Sequence, residues 1–142
     1  MTDPPRRRGR PRREGADEEI LAIARDLLRE KGYRDFTVDE VAARAGVAKT
    51  TVYRRWPSKA ALAAAVIAPL VEEVIAAADL PELLARLAAL LAGDAGPIIA
   101  GLVSDGESAV VAAPLRARLQ QIDPTLDFHQ ATGPIWSRLL VR

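Results

Sequence analysis

The stretch from Thr37 to Trp56 restricts the fold more than any other part of this chain. Ala42, Gly46, Val47 and Val52 stand in the order Ala-x3-Gly-Val-x4-Val. That spacing predicts two short helices joined by a tight turn. Thr37 and Glu40 form a capping box at the start of the first helix, which runs to Ala45. Gly46 ends it, because glycine takes the left-handed conformation at no steric cost. A second helix begins near Ala48 and stops before Trp56-Pro57. Ala42 must be small where the second helix crosses above it, and Val41, Ala45, Val47 and Val52 pack between the helices and against the preceding one. The second helix then turns Lys49, Thr50, Thr51, Tyr53, Arg54 and Arg55 outward. These donors and a planar polar aromatic suit the major groove of DNA. The spacing alone fits a plain helical hairpin with a solvated face equally well, and charge favours DNA. Residues 1–60 carry 15 Lys/Arg against 10 Asp/Glu, a net of +5, and residues 61–142 carry 5 against 9, a net of −4.

The remainder reads as helix throughout. The chain of 142 residues holds 27 alanines and 17 leucines with only 4% aromatics, a balance that favours helix over sheet. A first helix is expected over 17–31, with Asp17 as N-cap and Gly32 as its stop. Ser58 starts a long apolar helix to about Ala78, which Pro69 should kink or split. Leu80 to Leu91 form the next, with Glu82 and Arg86 paired at i,i+4. A turn at 93–97 precedes helical segments at 98–104 and about 109–121, and Asp123-Pro124 opens a last amphipathic segment. The expected fold is all-α: a disordered basic arm at 1–16, a three-helix domain with a helix-turn-helix at 17–60, and a shortened helical bundle at 61–142.

Residues 37–62, TVDEVAARAGVAKTTVYRRWPSKAAL, resemble the DNA-binding domain of the TetR family of transcriptional repressors, and the likeness extends over 17–65. The resemblance implies an N-terminal DNA-binding domain and an all-α C-terminal domain that binds a small effector and dimerises. By position it makes Thr37 a phosphate contact, and Lys49 and Thr50 base readers. Thr51 and Tyr53 become base or phosphate contacts, Arg55 a backbone contact, and Lys59 a phosphate-binding lysine at a helix N-terminus. Trp56 is expected to lid the three-helix core.

In the arm, Arg8-Gly9-Arg10-Pro11 resembles an AT-hook. Gly9 lets the backbone approach the floor of a narrow minor groove, and Arg8 and Arg10 extend along its negative potential. At the other end, 125–142 is similar to the penultimate helix of one TetR subgroup. Phe128, Ile135, Trp136, Leu139 and Leu140 are many large apolar groups for a terminal helix, and a homodimer interface is expected there. His129 and Trp136, near one helix face, are candidates to line a ligand cavity. There is no cysteine and one histidine, and no carboxylate pair, nucleophile–base arrangement or phosphate-cradling glycine loop. No enzyme activity, metal or cofactor is therefore expected. No apolar run is long enough to span a bilayer, and a cytoplasmic protein is expected.

The expected function is a dimeric transcriptional regulator on a palindromic operator in double-stranded DNA, a repressor released by a small-molecule effector. The alternatives are a constitutive or nucleoid-type DNA-binding protein without effector and a degenerate helical protein–protein module.

Overall fold

The helical periodicity is realised as eight α-helices in the computed structural model, which describes residues 15–141 without the side chains of Leu139 and Leu140. They are α1 (Ala16–Asp35), α2 (Val38–Ala45), α3 (Lys49–Arg55), α4 (Lys59–Ile75), α5 (Leu80–Ala92), α6 (Ala95–Ser104), α7 (Ala109–Ile122) and α8 (Phe128–Leu140). No strand occurs among the described residues, and the all-α fold expected from the sequence is what forms.

Side-chain caps start several of these helices. The hydroxyl of Thr37 accepts from the N–H of Glu40 at 3.3 Å, Ser58 from Ala61 at 3.0 Å, and Asp79 from Glu82 at 2.9 Å. Glu40 does not reach back to complete a capping box; its carboxylate takes Lys31 Nζ at 2.7 Å. Asp17 is not the cap of α1. Gly15, at φ 88°, holds that position, and Asp17 lies in the first turn. Gly32 interrupts α1 as expected (φ 77°, ψ 168°), and one further turn carries Tyr33. The last helix starts later than Asp123: Asp127 caps it by accepting from the N–H groups of His129 and Gln130.

The prolines cost less than expected. Pro69 lies inside α4 without dividing it, on an exposed face of the helix. Pro97 occupies the first turn of α6, where no N–H is required, so helix replaces most of the expected 93–97 turn.

Helix α4 is the shared element, packed against α1 on the N-terminal side and against α5, α6 and α7 on the other. Leu27, Phe36, Val41, Val52, Leu62 and Ile67 are fully buried around it, and the same cluster continues into Leu87, Ile99, Leu115 and Leu119. Each such side chain contributes roughly 1.5–3 kcal/mol on burial. The boundary expected at residue 60 thus falls inside one continuous helix and one continuous core. A second seam joins the two halves, between α1 and α6. Tyr33 donates to Asp105 Oδ2 at 2.7 Å, and Arg29 donates to Asp94 Oδ2 at 2.9 Å. Gly101 lies so close beneath Tyr33 that an added Cβ would sit 2.4 Å from the ring.

No single described helix is long and apolar enough to cross a membrane. Only α5 and α6 together pass that test, and they meet at an 88° bend.

Candidate nucleic-acid interface

The turn between α2 and α3 is built by Gly46. At φ 67° and ψ 31° it donates to Ala43 O at 3.3 Å, and Val47 donates to Ala42 O at 3.1 Å. This paired closure satisfies the last carbonyls of α2 and redirects the chain into α3. Val41, Ala42 and Val52 are buried beneath the turn, and Val47 is half-buried against the same core. Trp56 is half-buried over it, as expected of a lid. With Val52 pointing in, α3 exposes Lys49, Thr50, Thr51, Tyr53, Arg54 and Arg55.

Lys49 and Arg55 are not bare. Lys49 Nζ donates to Asp39 Oδ2 at 2.7 Å, and this bond raises the lysine pKa above its ordinary value. Lys49 opens α3, where the positive end of the helix dipole disfavours a cation, and Asp39 offsets that. Arg55 is paired with Asp17 of α1. Lys59 is half-buried rather than presented on an open surface. Its Nζ donates to Arg34 O at 3.0 Å and stands 4.6 Å from the centre of the Tyr33 ring, bracing α4 on α1. Thr37 is exposed; its oxygen accepts from Glu40, which leaves its proton for an external acceptor. The roles of Asp39 and Asp17 were missed from sequence. Asp17 read as a cap, and nothing local ties it to a residue 38 positions away.

The charge excess also redistributes. Of the net +5 over residues 1–60, residues 15–60 hold 9 Lys/Arg against 8 Asp/Glu, and most of the excess belongs to the arm. Arg8, Gly9 and Arg10 lie outside the described residues. The folded domain is therefore close to neutral and offers a shaped face of donors rather than a broad positive field.

The profile of bacterial regulatory proteins of the tetR family matches residues 20–66, from α1 into α4. That match takes in the helix-turn-helix and the helices on either side of it, about a third of the chain. An uncharacterized HTH-type transcriptional regulator, YdeS, of Bacillus subtilis is 54% identical over 56 residues, covering 39% of this chain and 28% of its own length. An uncharacterized HTH-type regulator of Mycobacterium tuberculosis is 59% identical over 46 residues, 32% of this chain and 23% of its own. The DNA-binding transcriptional repressor TetR of Mycobacteroides abscessus is 51% identical over 43 residues, 30% of this chain and 23% of its own. The matched part of the chain thus spans about a quarter of these relatives, and the TetR likeness lies in the DNA-binding domain.

In the segment expected to dimerise, Phe128 is not available as an interface residue. It is buried within its own chain, with the Arg116 guanidinium 5.1 Å from its ring centre. Ile135 and Trp136 are half-buried against the same core. Packing of α8 on α5 and α6 takes up apolar surface that sequence reading left without an intrachain partner. The side chains of Leu139 and Leu140 lie outside the described part. His129 is exposed, edge-on to Phe128, and lines a cavity of about 340 Å³ with Arg116 and Leu126, to which Trp136 does not contribute.

Proposed function

We propose that this chain is a sequence-specific DNA-binding transcriptional regulator, acting as a repressor. The observation that carries the reading is α3 itself. Its apolar residue is turned into the core by the Gly46 closure, and its threonines, tyrosine and cations face outward on a tetR-family domain. Lys49, Thr50 and Tyr53 read base edges in the major groove, and Thr37 and Arg55 hold phosphates that fix the register. Lys59 fixes the angle between α1 and α4 and keeps N–H bonds to offer to a phosphate at the start of α4. Arg8 and Arg10 extend the contact into an adjacent minor groove.

A single module of this size buries little surface on DNA, and two copies on a palindromic operator make the second contact effectively intramolecular. The exposed parts of Ile135 and Trp136, together with Leu139 and Leu140, supply that contact between copies. A small-molecule effector in the helical bundle acts through α4 and α6, which pack on α1 from the C-terminal side. The protein works in the cytoplasm.

The near-neutral folded domain speaks against nucleoid-type coating, which depends on sequence-independent neutralisation of phosphates. Selection of bound duplexes from a random library tests the choice. A regulator enriches a palindrome with half-sites about one helical turn apart. A coating protein enriches no motif.

A further inference from the structure

We propose that the cleft between α1 and the α4–α5–α6 layer is a binding site for a small amphipathic carboxylate. This cleft lies at the seam between the DNA-binding domain and the helical bundle. It encloses about 620 Å³, within the range of small-molecule pockets (roughly 300–1,000 Å³). Its walls are apolar: Val66, Ile67 and Leu70 of α4, Leu90 of α5 and Ile98 of α6. A second groove of about 550 Å³ shares Leu70, Ala89 and Leu90 with it and continues toward Val74. Glu73 and Arg86 also line that groove, so the apolar stretch that suits an alkyl or aryl body runs through the first cleft to Leu70 and Leu90. Leu70, 40% exposed, is one of the few large apolar side chains left in water among the described residues.

The mouth decides the class of ligand. Arg25 and Arg29 stand at i,i+4 on α1 and both line the cleft. Like charges at that spacing repel. Asp94 answers only Arg29, whose Nε and Nη2 both donate to Asp94 Oδ2, at 3.1 and 2.9 Å. Arg25 has no hydrogen-bond or ion-pair partner among the described residues. Two guanidinium groups against one carboxylate leave the mouth one positive charge in excess, above an apolar trough. A second carboxylate, held by Arg25 and by the unused N–H groups of Arg29, completes the arrangement and relieves the repulsion. A cationic amphiphile meets the excess charge, and a neutral one leaves Arg25 unanswered.

The site also has leverage. Its walls belong to α1, α4, α5 and α6, so an occupant bears on the same α1–α6 seam that carries Arg29–Asp94 and Tyr33–Asp105. The regulatory use of the cleft rests on the reading of the chain as a DNA-binding regulator; the binding itself does not.

Calorimetric titration of the full chain with dodecanoate, dodecanol and dodecylammonium, each below its aggregation threshold, tests the site without DNA. Saturable one-to-one binding of dodecanoate is expected, weakened about tenfold or more in Arg25→Gln. Leu70→Glu, on the exposed lip, should abolish it while helicity is retained. Absence of saturable binding, equal binding of dodecylammonium, or an unchanged affinity in Arg25→Gln would each overturn the proposal. So would sedimentation showing that Leu70→Glu converts a dimer to a monomer, because the trough would then be a contact between copies. If dodecanoate binds but leaves DNA affinity unchanged, the site stands and its regulatory use fails. If the chain binds no DNA at all, the regulator reading fails and the calorimetric result is untouched.

Discussion

Tyr33, on the last turn of α1, donates its phenolic proton to Asp105 at the end of α6, two groups 72 residues apart in sequence. Burial, and then this hydrogen bond, push the phenol pKa well above its ordinary 10.0. The folded state thus holds a proton that the unfolded chain gives up. The stability this contributes is whole below about pH 10 and is lost as pH climbs beyond it. Tyr33→Phe should cost roughly 1–2 kcal/mol at neutral pH, and urea titrations should show wild type losing stability more steeply than the variant above about pH 10. Parallel pH profiles would mean that the phenol is not held in this way.

Directly beneath that ring, Gly101 offers a test in which two effects oppose each other. In a helix interior, Gly→Ala ordinarily gains up to about 1 kcal/mol. Here the new Cβ would meet Tyr33 Cβ at 2.8 Å and the ring at 2.4 Å, so the ring must leave its seat. Overpacking of this kind costs about 1–3 kcal/mol, and Gly101→Ala should therefore destabilise. A raised melting temperature would show that the α1–α6 seam yields freely.

Asp39 restrains Lys49 at the face proposed for DNA. Asp39→Asn releases the lysine and removes a negative charge that phosphates would meet. Affinity for random duplex should rise, and the slope of log K against log salt should steepen by up to about 0.9 as the freed lysine neutralises one more phosphate. Fluorescence anisotropy over a salt series reads this. An unaltered slope would place Lys49 away from phosphate in non-specific complexes.

Removing residues 1–13 deletes six arginines. Since the folded domain is close to neutral, most of the salt dependence of DNA binding should go with them. The slope should become shallower by about 0.9 for every phosphate the arm no longer neutralises, and preference for A·T-rich flanks should fall. A slope that stays the same would confine DNA binding to the helix-turn-helix and its neighbours.

The parts of the fold that depend on local patterns were legible in the sequence. The helix-turn-helix came from Ala42, Gly46, Val47 and Val52, because a small residue, a left-handed turn and two apolar contacts leave a spacing on the chain. The caps at Thr37 and Ser58 followed from side-chain chemistry alone. What escaped was long-range. Asp17 read as a cap because local rules favour it there, whereas tertiary pairing assigned it to Arg55. Lys59 read as a phosphate-binding lysine, and nothing in the sequence brings Tyr33 and Arg34 beside it. Phe128 read as an interface residue because the sequence does not show α8 packing on α5 and α6. The charge of the N-terminal half was counted correctly but attributed to the wrong place, since a net charge does not say whether acids sit beside bases on the folded surface.

The central claim is that α3 reads DNA sequence, and the most direct measurement compares two DNAs. Binding of wild type and of Lys49→Ala, Thr50→Ala and Tyr53→Ala is measured on the selected palindrome and on random duplex at one fixed salt concentration. Each substitution should cost about 1–3 kcal/mol on the palindrome and far less on random DNA. Equal losses on the two DNAs would reduce these residues to phosphate contacts and contradict the claim.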